Sequence, residues 1–499
     1  MRKLVAVLLM MALLLGAVST AFAKSPYMLD IYWIGNEDNE EIRTGVQDAI
    51  NEYIEPLIGA NVTFHIVNWD RWTEEALKPL LAGEKVDLIF TADWRDYVQE
   101  INAGALTPLE DQLTENGQDI LANLSADFIE GAKYNGMLYG IPTNKELCVP
   151  TGFIVNKTAA LAIGWDPDKD PVKTTEELEP WLAKYKEMFP DNYPYLMEKG
   201  RWSDEPWGHE WIGIEGDALS MKYAKDENGN FDETVYSIYE TQEQEDHIRL
   251  MYKWAQEGYI DPEAATYDYN KVFGTGRFLV FTQPLKGNNI KSVEMYAANK
   301  APDAEDFECT EIILQDKYKV TCQAGGSMFA IGSSKKVRHK DIAMKYLNLM
   351  HSDATLVNLM LFGVEGVNYI KVNDQQVELT DKNWYGLHGG AWTVGNTKLQ
   401  YVLTSEDPEK NAKLQAYADD APKTASYGFR FDKSKDPDTL NAVTEVVKKF
   451  AVPLMVGAVD PDDAELGLEA FRKELKNAGI DTLKQEVEEQ YASWKDSLY

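Results

Sequence analysis

The chain of 499 residues carries a formal net charge of −33, with 82 Asp and Glu against 49 Lys and Arg. A surplus of that sign repels nucleic acid and anionic lipid surfaces, which argues mildly against a polyanion as ligand. Hydrophobic and aromatic contents of 44% and 11% are those of a folded chain, and the length corresponds to roughly two to four domains.

Residues 1–23 read as a secretory signal: a basic "MRK", an apolar "LVAVLLMMALLLGAV", and "AFA" with small residues at the cleavage positions. Cleavage is expected after Ala23. No cysteine lies near it, so no lipid anchor is expected, and no later run approaches the roughly 18 apolar residues of a membrane span. The mature chain is therefore expected to be soluble outside the cytoplasm, in a periplasm or beyond the cell.

"YMLDIYWI" at 27–34 predicts a strand. "NEEIRTGVQDAINEYIEPLIG" has helical spacing and ends at Gly59. "NVTFHIVNW" alternates as a strand, "RWTEEALKPLLAG" is helical, "VDLIF" is a strand, and "DYVQEINAGA" is helical again. This β-α-β-α-β order predicts a parallel sheet covered by helices. Ligands in such folds bind beyond the carboxyl ends of the strands, where "WIGNEDN", "NWDRW" and "TADWRD" stand. Further on, Asn135-Gly136 in "YNGMLYGIPT" predicts a two-residue hairpin turn. "GFIVNK" is a strand, "TTEELEPWLAKYKEMFP" opens a helix with a Thr174–Glu177 capping box, and "EDHIRLMYKWAQEGYIDPE" is a helix ending at Gly258. "FLVFTQP" and "SMFAIGSS" are strands, and "RHKDIAMKYLNLMHSD" begins a helix that Gly363 of "FGVEGVNY" ends. Residues 438–494 are mainly helical.

Three cysteines, Cys148, Cys309 and Cys322, do not make a disulfide scaffold, and no C-x-x-C occurs. "CTEIILQDKYKVTC" reads as two strands about Gln315-Asp316. In that register Cys309 faces Cys322, which leaves both a bridge and two thiols open. Patterns of nucleophilic hydrolases, zinc proteases, dinucleotide sites and P-loops are missing, and the six histidines lack ligand spacing. "DENGNFDE" at 226–233 resembles the start of a calcium loop, but Phe231 stands at the glycine position and Ser237 at the closing glutamate, so a hairpin turn is expected and no metal. With carboxylates so abundant, a glycosidase pair is not excluded by counting.

The thirteen tryptophans are the most informative feature. Trp33, Trp69, Trp94, Trp202, Trp207, Trp384 and Trp392 sit among turn residues rather than in apolar runs. Indole faces pack on the C–H faces of sugar rings while neighbouring carboxylates and amides take the hydroxyls, in pockets that are mostly apolar with a few placed polar groups. Buried packing is the alternative for each.

"AGALTPLEDQL" with "GAKYNGMLYGIPTNKE", "WAQEGYIDPE", "GGSMFAIGSSKKVRHKDIAMKYLNLM" and "FGVEGVNY" resemble motifs of extracellular solute-binding proteins of bacterial ABC importers, family 1. The ending "YGFRFD…AGIDTLKQEVEEQYASW" is similar to a C-terminal extension in a lipoprotein-like subset. The chain departs from many relatives in lacking a lipobox cysteine, and "KYKEMFPDNYPYL" does not reproduce the calcium loop of some oligosaccharide binders. The resemblance implies an α/β, two-lobed periplasmic-binding-protein fold with an interlobe cleft and a helical C-terminal extension. The first lobe is expected over 24–142 and about 276–327, the second over 143–275 and about 328–430, and the extension over 431–499, with crossovers near 143–150 and 325–330. It further implies a monomer without cofactor or metal that binds a sugar, expected to be an oligosaccharide, and delivers it to ABC permease subunits without catalysis. Asp93 and Trp94 are the foremost expected contacts, followed by Trp33, Trp69, Glu146, Trp207 and Trp392. A secreted glycoside hydrolase is the rival reading, and a peptide or polyanion binder the third.

Overall fold

The computed structural model describes residues 25–498 except 37–38, 198–207, 213–217, 223–224, 267–273, 286–306, 315–316, 386–389 and 405. The signal sequence and Trp202 and Trp207 therefore lie outside the described residues.

The first sheet has the order β2-β1-β3-β11-β4. Strands β1 (Tyr27–Ile34), β2 (Ala60–Val67) and β3 (Leu88–Thr91) are parallel, in the register Tyr27 with Ala60 and Ile31 with Leu88. Strand β4 spans Gly140–Pro142, and β11 (Met328–Ile331) runs antiparallel between β3 and β4, Met328 opposite both Thr91 and Pro142. The helix Glu40–Ile58 joins β1 to β2. Asn39 caps it by accepting the Glu41 and Ile42 amides, Gly59 ends it at φ +68°, and Val46, Ile50 and Ile54 face the sheet at four-residue spacing. The hairpin before β4 closes with Asn135 and Gly136 both at positive φ, and Tyr134 bridges Met137.

The second sheet is antiparallel, with β5 (Thr151–Asn156) between β10 (Cys309–Ile313) and β9 (Val280–Pro284). Its core includes Trp165, Tyr195 and Trp254. Strands 280–284 and 309–313 thus belong with β5, while 328–331 and the helices after it pack on the first sheet. The expected halves of the two lobes are exchanged. Every strand among the described residues of the 276–327 segment pairs with β5, and Met344, Leu347, Leu356 and Leu361 share one core with Leu29 and Phe90. The chain passes from the first sheet to the second between Pro142 and Thr151, and returns between Ile313 and Met328.

A third core joins the small sheet β6-β7-β8 (His209–Trp211, Leu219–Lys222, Val235–Ser237) to the C-terminal helices Pro437–Met455, Leu468–Ala478 and Ile480–Ser497.

Three local expectations change. The cysteine hairpin is replaced: Cys309 pairs across β10 with Asn156, and Cys322 lies in the short helix Thr321–Ala324, so the register that set them face to face is gone and no disulfide joins them. The helix begun at Lys340 stops at Ser352. Asp353 caps a second helix, Ala354–Phe362, by accepting the Leu356 amide at 3.0 Å, and it is this second helix that Gly363 ends, at φ +81°. The Glu177 carboxylate reaches the Lys173 amide at 2.6 Å, one residue before the expected Thr174 cap. The 226–233 turn is closed by the Asp226 carboxylate, whose Oδ1 accepts the Asn228 and Asn230 amides at 2.8 Å. Among the described residues no helix is long and apolar enough to cross a membrane, and no group of three or more His, Cys, Asp or Glu is placed to hold a metal.

Candidate functional site

The carboxyl ends of β2, β3 and β4 and the start of β11 lie at one edge of the first sheet, where both crossings leave it. Trp69 follows β2 by two residues, and Trp94 follows β3 by three. Trp392 arrives from far along the chain, because segment 390–397 docks on the 143–150 crossing: Asn144 donates its amide to the Gly395 carbonyl at 2.7 Å, and Thr397 its amide to Asn144 at 2.9 Å. Trp69 stands 5.9 Å from Trp94 and 6.3 Å from Trp392, both stacked, and Trp94 lies 6.3 Å from Trp392. Phe90 closes the base, edge-on to Trp392 at 5.7 Å. Trp69 and Trp94 are 37% and 45% exposed and Trp392 is half-buried, so the cluster presents indole surface to solvent instead of filling a core.

Trp94 and Trp69 are each held by a polar neighbour. Trp94 donates its N–H to the Gly326 carbonyl at 2.8 Å. The Arg95 guanidinium lies over Trp72 at 5.4 Å and Trp69 at 6.0 Å, and donates to the Trp69 carbonyl at 3.4 Å. Trp33 is a correction. It is wholly buried against Phe64 and Phe329 and donates its N–H to Thr393 Oγ1 at 3.0 Å, and that hydroxyl donates to the Gly390 carbonyl at 2.7 Å. Its inward-facing position on a central strand makes it core, and its polar end steadies the turn that carries Trp392.

Asp93 is the second correction. Its side chain is buried in a two-pronged ion pair with Arg430, Nη2 to Oδ2 at 2.8 Å and Nε to Oδ1 at 2.5 Å, which takes the oxygens a sugar would need. Glu146 lies buried in the 143–150 crossing, its carboxylate 3.9 Å from Lys145 Nζ, and Lys145 donates to Gln323 of the return crossing at 3.1 Å. Burial raises the Asp96 carboxyl against the pull of Arg95, and pushes Glu100 behind the indoles up to about 8. Phe90, Arg95, Gly326 and Thr393 were absent from the expected set. Only Arg95 carried a signal, as a cation between two tryptophans beyond a parallel strand.

A second concavity, about 490 Å³, lies between the 134–135 turn and the last helix, lined by Asp432, Lys435, Glu486 and Trp494 among others. None of the three clustered indoles reaches it. It carries less chemistry than the indole surface, because Glu486 and Glu489 accept from Gln490 and Gln485 of their own helix.

A model described as bacterial extracellular solute-binding protein matches residues 60–369. The chain belongs to that family. A domain of unknown function matches residues 425–496. A carbohydrate ABC transporter substrate-binding protein of Streptococcus pneumoniae serotype 4 is 25% identical over 451 residues, covering 88% of this chain and 86% of its own. Among solved structures, the N-glycan transport solute binding protein NgtS of Streptococcus pneumoniae superposes with a TM-score of 0.79 at 22% identity, over 94% of this chain and 98% of that one. NgtS has also been solved with Man5GlcNAc. An extracellular solute-binding protein of Bifidobacterium longum subsp. infantis superposes with a TM-score of 0.60 at 15% identity, over 94% and 98%. These likenesses establish the two-lobed solute-binding fold.

Proposed function

We propose that this solute-binding protein is the extracytoplasmic receptor of an ABC importer, that its ligand is an oligosaccharide, and that Trp69, Trp94 and Trp392 form the wall on which sugar rings stack. The observation that carries this reading is the solvent-facing indole cluster beyond the carboxyl ends of β2 and β3. Exposed flat aromatic surface costs free energy in water, and it is recovered when the apolar face of a sugar covers the rings. The pneumococcal relatives, a carbohydrate ABC transporter substrate-binding protein and an N-glycan transport solute binding protein, support the same class of ligand. Glu146 is retained as a polar contact from the crossing, and Trp207, outside the described residues, as a further contact. The protein acts as a monomer, hands the sugar to permease subunits and turns nothing over. The hydrolase reading is not carried by the relatives, and Asp93, a prominent carboxylate at the site, is committed to Arg430.

A thermal-shift panel of oligosaccharides that includes Man5GlcNAc tests the reading. Native-state binding adds about 2.7 kcal/mol at a hundredfold excess over Kd. A cognate sugar is expected to raise the melting temperature and to be recovered intact by chromatography. Shortened sugar after incubation overturns the receptor assignment in favour of the hydrolase.

A further inference from the structure

The indole wall is braced from the far end of the chain. Asp93 and Trp94 are consecutive, and both are tied to the return crossing: the Asp93 amide donates to the Gly325 carbonyl at 2.9 Å, and the Trp94 indole to the Gly326 carbonyl at 2.8 Å. A Cβ on Gly325 would lie 1.9 Å from Asp93 Oδ2, so carboxylate and crossing are in direct contact. Arg430, inside the domain of unknown function, grips both oxygens of that carboxylate and also donates to the carbonyls of Lys133 at 2.7 Å and of Gly131. Burial works against its charge, and the Asp93 carboxylate more than offsets this, so the guanidinium stays charged. Four residues earlier the same segment is knotted to the same crossing. The Thr321 amide donates to Glu210 Oε1 at 3.1 Å and Ser426 Oγ to Glu210 Oε2. Thr321 Oγ1 donates to the Ser426 carbonyl at 3.0 Å and accepts the Gly428 amide at 2.8 Å.

A buried guanidinium with four acceptors is a rigid peg, because each lost bond leaves a desolvated partner behind. Stability alone does not require that peg to end on the residue beside the most exposed indole of the wall. We propose that Arg430 is a positioning residue for sugar binding: acting through Asp93, it fixes the backbone at 92–95 and hence the face that Trp94 presents beside Trp69 and Trp392. The C-terminal domain of unknown function thereby sets the geometry of a site on the first lobe. This inference rests on the indole wall being the ligand site, and the test separates the two.

The variants are Arg430→Lys, which keeps the charge but cannot span both Asp93 oxygens and two carbonyls, and the neutral pair Asp93→Asn with Arg430→Gln, which leaves no buried ion should the first variant fold poorly. Close indoles give an exciton couplet in circular dichroism. The wild-type spectrum minus that of Trp94→Ala isolates the Trp94 part, since the stacked Trp165 and Trp181 contribute equally to both. Either folded variant is expected to lose most of that difference signal without ligand, and to bind Man5GlcNAc at least tenfold more weakly than wild type. A merely structural Arg430 would lower the melting temperature and leave the Trp94 couplet in place, and that result, in either folded variant, overturns the proposal. Man5GlcNAc affinity lowered by Trp94→Ala but not by Arg430→Lys also overturns it. Affinity unchanged by Trp94→Ala instead overturns the site assignment, while the couplet still decides what Arg430 positions.

Discussion

Trp94 is fixed at its N–H by the Gly326 carbonyl, yet 45% of it is exposed. Removing it takes away contact surface and little core. Trp94→Ala is therefore expected to weaken sugar binding by about 1 to 3 kcal/mol, taking base–aromatic stacking as a proxy, whereas Trp33→Ala, fully buried, should cost about 3 to 5 kcal/mol of folding stability. Calorimetric titration and denaturant melts on both variants separate the two losses; equal stability losses would contradict the assignment of Trp33 to the core. Position beyond a parallel strand was enough to single out Trp94 and Trp69, but nothing in "TADWRD" shows that Asp93 turns inward, because its partner lies 337 residues away. Glu100 makes a second residue-scale prediction. Burial pushes it from 4.5 up to about 8. The folded state holds this proton when the unfolded state has lost it, so its contribution is fully present below pH 4.5 and is lost as pH rises towards 8. Glu100→Gln should flatten that alkaline decline in urea melts. Buried His247 and His351, pushed from 6.5 down to about 3, act in the opposite sense: their contribution is present above 6.5 and is lost as pH falls towards 3.

The helix that ends in "FGVEGVNY" shows what periodicity can and cannot give at the scale of an element. Apolar spacing runs through 341–362 without a gap, so a single helix was expected; Asp353, at φ −111° and ψ 105°, breaks it by capping the second half. Asp353→Ala should cost about 1 kcal/mol, the ordinary worth of such a cap. Gly363→Ala should cost more, about 1 to 3 kcal/mol, since φ +81° is strained for any side chain and the new Cβ would lie 2.5 Å from Asn368 Oδ1. Thermal melts giving the reverse order would show that Asn368 moves aside freely. The parallel strands and the Asn135-Gly136 turn were legible because their signals are local. The pairing of Cys309–Ile313 was not: a hairpin is the short-range solution for "CTEIILQDKYKVTC", and β5, more than 150 residues earlier, wins because it offers five paired residues, Asn156 through Gly152.

At the scale of the whole molecule, the sequence signals identify two α/β lobes and a helical ending but not which return segment belongs to which lobe, since "FLVFTQP" and "SMFAIGSS" are equally apolar and only the pairing partner tells them apart. Nor do they show that the ending is part of the fold. Phe431, Val443, Val447, Phe450, Phe471, Leu475, Leu483, Val487 and Tyr491 share one buried core with Leu219, Met221, Val235, Ile238 and Ile248. A chain ending after Arg430 would leave those five residues and the small sheet uncovered. Each buried aliphatic or aromatic side chain contributes about 1.5 to 3 kcal/mol, so uncovering those five costs about 7 to 15 kcal/mol, as much as the roughly 5 to 15 kcal/mol that holds a typical domain together. The truncated chain is expected to bind a hydrophobic dye and to be cleaved within 209–248 by a trace of protease that leaves the full chain intact. If the extension were an appended module, the truncated protein would instead resist cleavage there and melt as sharply as the parent. The shared core makes the first outcome the expected one, because among the described residues the buried apolar partners of Leu219, Met221, Val235, Ile238 and Ile248 from outside their own segment begin at Phe429.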